Sequence, residues 1–335
     1  MTEPGSSGQP QRRRRIAPAL ARWTLCIAAV SWLIHDIEWD QVARVLSEAQ
    51  WGLALLGLLA FGPTPILISL RLKWLLAVHD VHLTFRQAIK VTFAGHFLIQ
   101  ALPIGTSGGD SLKAYYVARD TEHKHEAVMT VFFDRVVGVV ALVGMSGLLV
   151  LLNWGKPEFE RWGRIIGVSA MVLGVLGICY FSNHIRAFLR LDSMVARLPL
   201  SAHLQRLDRA LFAFRHRVGR LGVALGLTGV LQVVAIFAMF LVGRALGMKT
   251  DAPGSDLLVF LAYTPICFLS GALPIGAMEV VFVELFADAA GLGTSEQAVS
   301  LSLLSRIVQL IWALPGAITV LEGRPDHDSP ELLES

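Results

Sequence analysis

At 335 residues, with 54% hydrophobic against 16% charged side chains, the chain carries too many apolar groups and too few charges for an ordinary soluble domain. A formal net charge of +3 excludes little as a total, so the placement of charge along the chain is what informs. The three cysteines, Cys26, Cys179 and Cys267, all stand inside apolar stretches, which argues against a disulfide framework or a zinc site.

Residues 1–15 are polar and include Arg12, Arg13, Arg14 and Arg15, followed by an apolar run from Ile16 to Ile34. The start resembles a signal peptide, but no small-residue cleavage site follows, so the run is read as a retained first span. Further spans of about 20 residues are predicted at Trp51 to Leu70, Ala127 to Leu152, Ile165 to Phe181, Leu221 to Val242 and Glu296 to Val320, six in all. Two other apolar regions, Gln87 to Tyr116 and Leu257 to Ala290, each contain a Leu-Pro-Ile-Gly break near the middle. Neither half of either region comfortably crosses a bilayer.

Charge then orients the spans. The linker Ser182 to Arg220 holds eight arginines against Asp192 and Asp208, which places it in the cytoplasm with the basic N-terminus and with Arg71 and Lys73. Thr250 to Ser305 contains no Lys or Arg, and His35 to Gln50 has four acids against Arg44, so both belong outside. These signs agree when each Leu-Pro-Ile-Gly region returns to the side it entered from, as a re-entrant hairpin, or adds an even number of crossings. The expected organisation is a basic N-terminus (1–15), one membrane domain (16–320) with repeat units around 87–152 and 257–320, and an acidic cytoplasmic tail (321–335).

The repeat is the most informative feature. A shift of 171 residues aligns Phe97, Leu98, Ala101, Leu102, Pro103, Ile104 and Gly105 with Phe268, Leu269, Ala272, Leu273, Pro274, Ile275 and Gly276. The same shift places Ala127 on Ala298, Val128 on Val299, Arg135 on Arg306 and Val137 on Val308. With the orientation above, the repeat is inverted, and inverted repeats with broken helices meeting at mid-membrane are a transporter plan. Pro103 and Pro274 remove a backbone donor, and the glycines after them, Gly105 and Gly276, release the chain. Backbone freed at membrane depth needs protein or a polar cavity around it, so Gly105, Gly108, Gly109 and Asp110 are expected beside a cavity. The alternative is a helix–helix turn just beyond the membrane edge.

Each unit offers an acid soon after the break and an arginine further on, Asp110 with Arg135 and Glu279 with Arg306. An arginine two to three turns into a span must face a cavity, pair with an acid or reach the interface, and its planar fork suits phosphate as well as carboxylate. The substrate-binding reading has both arginines holding an anionic headgroup, with the acids holding them when empty. Structural ion pairs or snorkelling arginines are the alternative. Asp134 lies about 100° around the helix from Arg135 and need not be its partner.

These residues resemble the lysylphosphatidylglycerol synthase transmembrane region, a flippase-like family. The resemblance rests on Leu102-Pro-Ile-Gly-Thr-Ser-Gly-Gly-Asp110 through Lys113, on Ala127 to Gly138 with its Asp134-Arg135 pair, and on Leu273-Pro-Ile-Gly-Ala-Met-Glu279. The second motif departs from the usual pattern, which has a longer glycine stretch and often an arginine before the glutamate where this chain has Met278. The resemblance implies a bacterial inner-membrane protein that flips or handles lipids such as aminoacylated phospholipids, polyprenyl-linked sugars or hopanoids. Residues 321–335 are too short for the aminoacyl transferase domain of the synthases, so that reaction is not expected.

Other chemistry is weakly encoded. Glu122, His123, His125 and Glu126 lack a helical His-Glu-x-x-His arrangement, so no metal is expected. Gly105 to Gly109 lacks the lysine and hydroxyl of a P-loop. The basic linker alternates with Leu189, Leu204, Leu207 and Phe214, as a leaflet-facing amphipathic helix would, and a solvated loop is the alternative; no nucleic-acid partner is expected. The resulting expectation is an all-α polytopic protein of six spans and two re-entrant hairpins. It would act as a lipid flippase for an anionic, polyprenyl-linked or hopanoid-type lipid, without catalysis or cofactor. The alternative is a scaffold that presents lipid to a lipid-modifying enzyme, and association into homo-oligomers stays open.

Overall fold

The computed structural model describes residues 39–101, 106–119, 121–181, 218–249, 255–271 and 276–322. Among them the regular elements are all helical: α1 (Trp39–Ser47), α2 (Trp51–Phe61), α3 (Pro63–Leu76), α4 (Phe85–Ala101), α5 (Thr106–Arg119), α6 (Lys124–Leu152) and α7 (Gly163–Phe181). They continue with α8 (Val218–Ala245), α9 (Ser255–Ser270), α10 (Ala277–Phe282, followed by a π-helical turn over Val283–Ala289), α11 (Ser295–Ala313) and α12 (Pro315–Glu322). The first span, Pro103, Gly105, Pro274, linker residues 182–217 and the tail from residue 323 lie outside the described residues.

Among the described residues three helical stretches are long and apolar enough to span a bilayer, Trp51–His79, Lys124–Leu152 and Gly222–Ala245, matching three of the expected spans. The expected span from Glu296 to Val320 is a bent pair, α11 and α12, turned by 50°. The bend falls at Pro315, which has no N–H to give back to the preceding turn. Helix α7, Gly163–Phe181, covers the expected span from Ile165 to Phe181. Residues such as Leu55, Leu59, Val172 and Leu176 are exposed on these helices, a surface suited to hydrocarbon and not to water. The helix from Trp51 also runs past the expected end at Leu70, so Arg71 lies within α3 and is buried.

Close approach of backbones holds the bundle together. A Cβ at Gly109 would lie 2.3 Å from the Gly95 carbonyl oxygen, so α4 and α5 pack glycine on glycine into a hairpin. A Cβ at Gly316 would lie 2.0 Å from the Phe93 carbonyl oxygen, which brings α12 equally near α4. Helices in hydrocarbon gain little from burying apolar surface against one another, so dispersion across such small-residue contacts carries their association. A second core forms where α9 and α10 stack Phe260, Tyr263, Phe282 and Phe286, with Phe260 and Phe286 centred 4.8 Å apart.

The 171-residue register extends to the elements: α5 and α10 begin at Thr106 and Ala277, and α6 and α11 at Lys124 and Ser295. Packing between the units is reciprocal. Helix α4 lies on α11 and α12 of the second unit, while α9 lies on α6 of the first. Helices α2–α3 and α8 run antiparallel along each other: the Gln50 N–H donates to the Ala245 carbonyl at 2.9 Å at one end, and the Arg220 guanidinium reaches the Ala77 carbonyl at the other. Arg220, read as the end of the basic linker, is thus in the first turn of α8.

Candidate functional site

Between the two units lies a cavity of about 200 Å³. Thr64 and Ile68 of α3, His96, Ile99 and Gln100 of α4, and Arg135 and Leu142 of α6 line its first wall. Its second wall is Leu231, Gln232 and Ala235 of α8, Phe268 of α9, Met278 of α10, and Arg306 and Gln309 of α11. Arg135 and Arg306 each stand eleven residues after the start of their helix, about 16 Å along the axis.

The two arginines are held differently. Arg306 Nε donates to Glu279 Oε1 at 3.0 Å, and Glu279 is 1% exposed. The other carboxylate oxygen of Glu279 accepts from the Gly276 N–H at 2.8 Å, and Ser302 Oγ adds a 3.4 Å contact to Oε1. Gly276 takes φ 96°, a left-handed conformation natural to glycine, so the broken segment can turn its N–H onto that carboxylate. With Nε engaged, Arg306 Nη2 is buried and has no hydrogen-bond partner among the described residues. Arg135 is looser: its side chain is 42% exposed and Nε stands 3.8 Å from Asp110 Oδ2. Asp110 also faces Lys113 Nζ at 3.6 Å, one turn along α5. Lys113 runs its stem over Gly95, where a Cβ would meet Lys113 Cε at 2.4 Å.

Of the residues expected to bind substrate, the structure therefore brings Arg135 and Arg306 onto one cavity and sets Asp110 and Glu279 against them, with Lys113 on Asp110. Gly109 serves the α4–α5 contact, and Gly108 is half-buried beside it without lining the cavity. Asp134 has a partner of its own. Arg71 grips it through Nε at 2.6 Å and Nη2 at 3.0 Å, and Arg71 Nη1 reaches Thr228 Oγ1 of α8 at 3.4 Å. Gly138, one turn further along α6, leaves room for that guanidinium; a Cβ there would lie 3.6 Å from Arg71 Nη1. Neighbouring residues of α6 thus send opposite charges to different sides of the helix, as a 100° step allows.

Sequence reasoning did not single out His96, Gln100, Gln232 and Gln309. Gln100 Nε2 donates to Gln309 Oε1 at 2.8 Å, a hydrogen bond from one unit to the other, and His96 Nδ1 is buried without a partner among the described residues. Their signal was available, since each is a polar side chain within an apolar run. Among the described residues no group of three His, Cys, Asp or Glu side chains is placed to hold a metal ion. The family model of the lysylphosphatidylglycerol synthase TM region matches residues 16–316. No curated protein matches the chain.

Proposed function

The chain belongs to the lysylphosphatidylglycerol synthase transmembrane-region family, a membrane family related to lipid handling, and on that premise we propose that it is a non-hydrolytic flippase whose central cavity passes a lipid headgroup between leaflets. The observation that carries this reading is the meeting of Arg135 and Arg306, one from each unit, on a single cavity at mid-helix depth. A scaffold has no need of two cations at that depth, and holding them there is costly. The antiparallel course of α2–α3 and α8, which the 171-residue register makes equivalent, supports an inverted repeat, and on the charge pattern of the sequence we place both termini on the cytoplasmic side of a bacterial inner membrane. In such a plan the units rock about a fixed central site. The Gln100–Gln309 hydrogen bond and the packing of α4 on α12 are contacts that rocking would remake. Asp110 and Glu279 would hold the arginines in place between turnovers.

The test is leaflet exchange of labelled phospholipid and polyprenyl phosphate in liposomes containing the purified protein. Exchange above that of empty liposomes, lost in folded Arg135→Gln and Arg306→Gln variants, supports the reading. Well-folded protein that exchanges no lipid would move the assignment to a scaffold that presents lipid to a modifying enzyme.

A further inference from the structure

The cavity has a one-sided chemistry. Its charged lining is cationic, Arg135 and Arg306, and among the described residues no carboxylate lines it, because Asp110 and Glu279 stand behind the arginines and are occupied by them. The break residues outside the described set, 102–105 and 272–275, contain no acid either. The remaining polar lining is neutral hydrogen-bonding surface from Gln100, Gln232, Gln309 and His96. In two residues of this lining a polar atom is buried without a partner among the described residues, Arg306 Nη2 from the second unit and His96 Nδ1 from the first. Buried polar atoms left unpaired are costly, and a phosphate group pairing with Arg306 Nη2 and, in the tautomer that carries its proton on Nδ1, with His96 would remove that cost while joining the units.

From this we propose that the headgroup is a phosphate ester whose remainder is uncharged and hydroxylated, received by Arg306 and His96, and that an aminoacylated headgroup such as lysylphosphatidylglycerol is rejected. The inference rests on the flippase reading and narrows its substrate. A lysyl ester adds two ammonium groups to phosphatidylglycerol. Among the described residues the charged groups that line this cavity are two guanidinium groups, with Asp110 and Glu279 behind them. Like charges brought together in a site of low dielectric are repelled more strongly than in water, so the lining that attracts the phosphate repels the lysyl group. Glutamine amides can satisfy the hydroxyls of a polyol, donating and accepting at once.

The experiment measures binding and transport separately. The full chain in neutral detergent is melted with phosphatidylglycerol, lysylphosphatidylglycerol or soluble glycerol 3-phosphate, and the two lipids are also followed for leaflet exchange in liposomes. The expected result is stabilisation by phosphatidylglycerol at concentrations about tenfold or more below those needed with lysylphosphatidylglycerol. His96→Ala and Arg306→Gln should each raise the half-effective concentration about tenfold, the scale of one lost charge-assisted hydrogen bond. Gln232→Glu, which places a carboxylate in the lining, should narrow or reverse the preference. Equal stabilisation by both lipids overturns the inference, as do His96→Ala and Arg306→Gln variants that bind like the wild type, which would place the lipid elsewhere on a basic surface. Absence of stabilisation by any of the three compounds overturns it too. Selective stabilisation without exchange of either lipid upholds the headgroup chemistry and refutes transport. Stabilisation by glycerol 3-phosphate with none by phosphatidylglycerol upholds the phosphate-ester chemistry and assigns a soluble ligand.

Discussion

Replacing Asp134 by alanine should destabilise the protein far more than replacing its neighbour Arg135 by glutamine. Arg71 and Asp134 are each 6% exposed and joined by two hydrogen bonds, at 2.6 and 3.0 Å. Without the carboxylate, the guanidinium keeps only Thr228 Oγ1 at 3.4 Å. Removing one partner of a buried pair costs about 3–5 kcal/mol, because the remaining charge stays uncompensated, whereas replacing both by apolar residues is often nearly neutral. Arg71→Met combined with Asp134→Leu should therefore recover most of the loss. Arg135, 42% exposed and 3.8 Å from Asp110, should contribute no more than about 1 kcal/mol to stability. Reversible unfolding in mixed detergent micelles, run as a double-mutant cycle over positions 71 and 134, measures both quantities. An Asp134→Ala loss under about 1 kcal/mol, or a double variant as unstable as the single, would refute the claim that this pair is a dry structural clamp.

Gly109→Ala should cost about 1–3 kcal/mol, since its Cβ meets the Gly95 carbonyl backbone at 2.3 Å. Gly144→Ala, in α6 with nothing within 4 Å, should be neutral or stabilise by up to about 1 kcal/mol; the same unfolding assay reads both. Glu279→Gln should lower stability by about 1.5–3 kcal/mol through the lost charge-assisted bond to Arg306, while its amide oxygen still accepts from Gly276. In a background without the three native cysteines, a short reducible cross-linker between Gln100→Cys and Gln309→Cys should stop leaflet exchange, and reduction should restore it; unchanged exchange would show that the units do not part at this contact.

Much of the architecture was legible in the chain. Long apolar runs announce a membrane protein because only a hydrocarbon solvent tolerates them, and three of the expected spans emerge as full-length apolar helices. The pairing of Arg135 with Asp110 and of Arg306 with Glu279 was also readable, because a charge in that solvent demands a nearby opposite. Helices α5 and α10, and likewise α6 and α11, begin 171 residues apart, the spacing read from the sequence.

What only tertiary structure decided was long-range contact. Arg71 and Asp134 are 63 residues apart, and nothing local distinguishes Arg71 from the cytoplasmic charges with which it was grouped. Gly109, which had read as a substrate contact, proved to be where α4 and α5 touch, a role that depends on the other backbone being 2.3 Å from its absent Cβ. Gln100 and Gln309, 209 residues apart, meet only once α4 has packed on the second unit. A sequence states which side chains need a partner in the membrane; folding alone chooses the partner, because that depends on which helix faces come together.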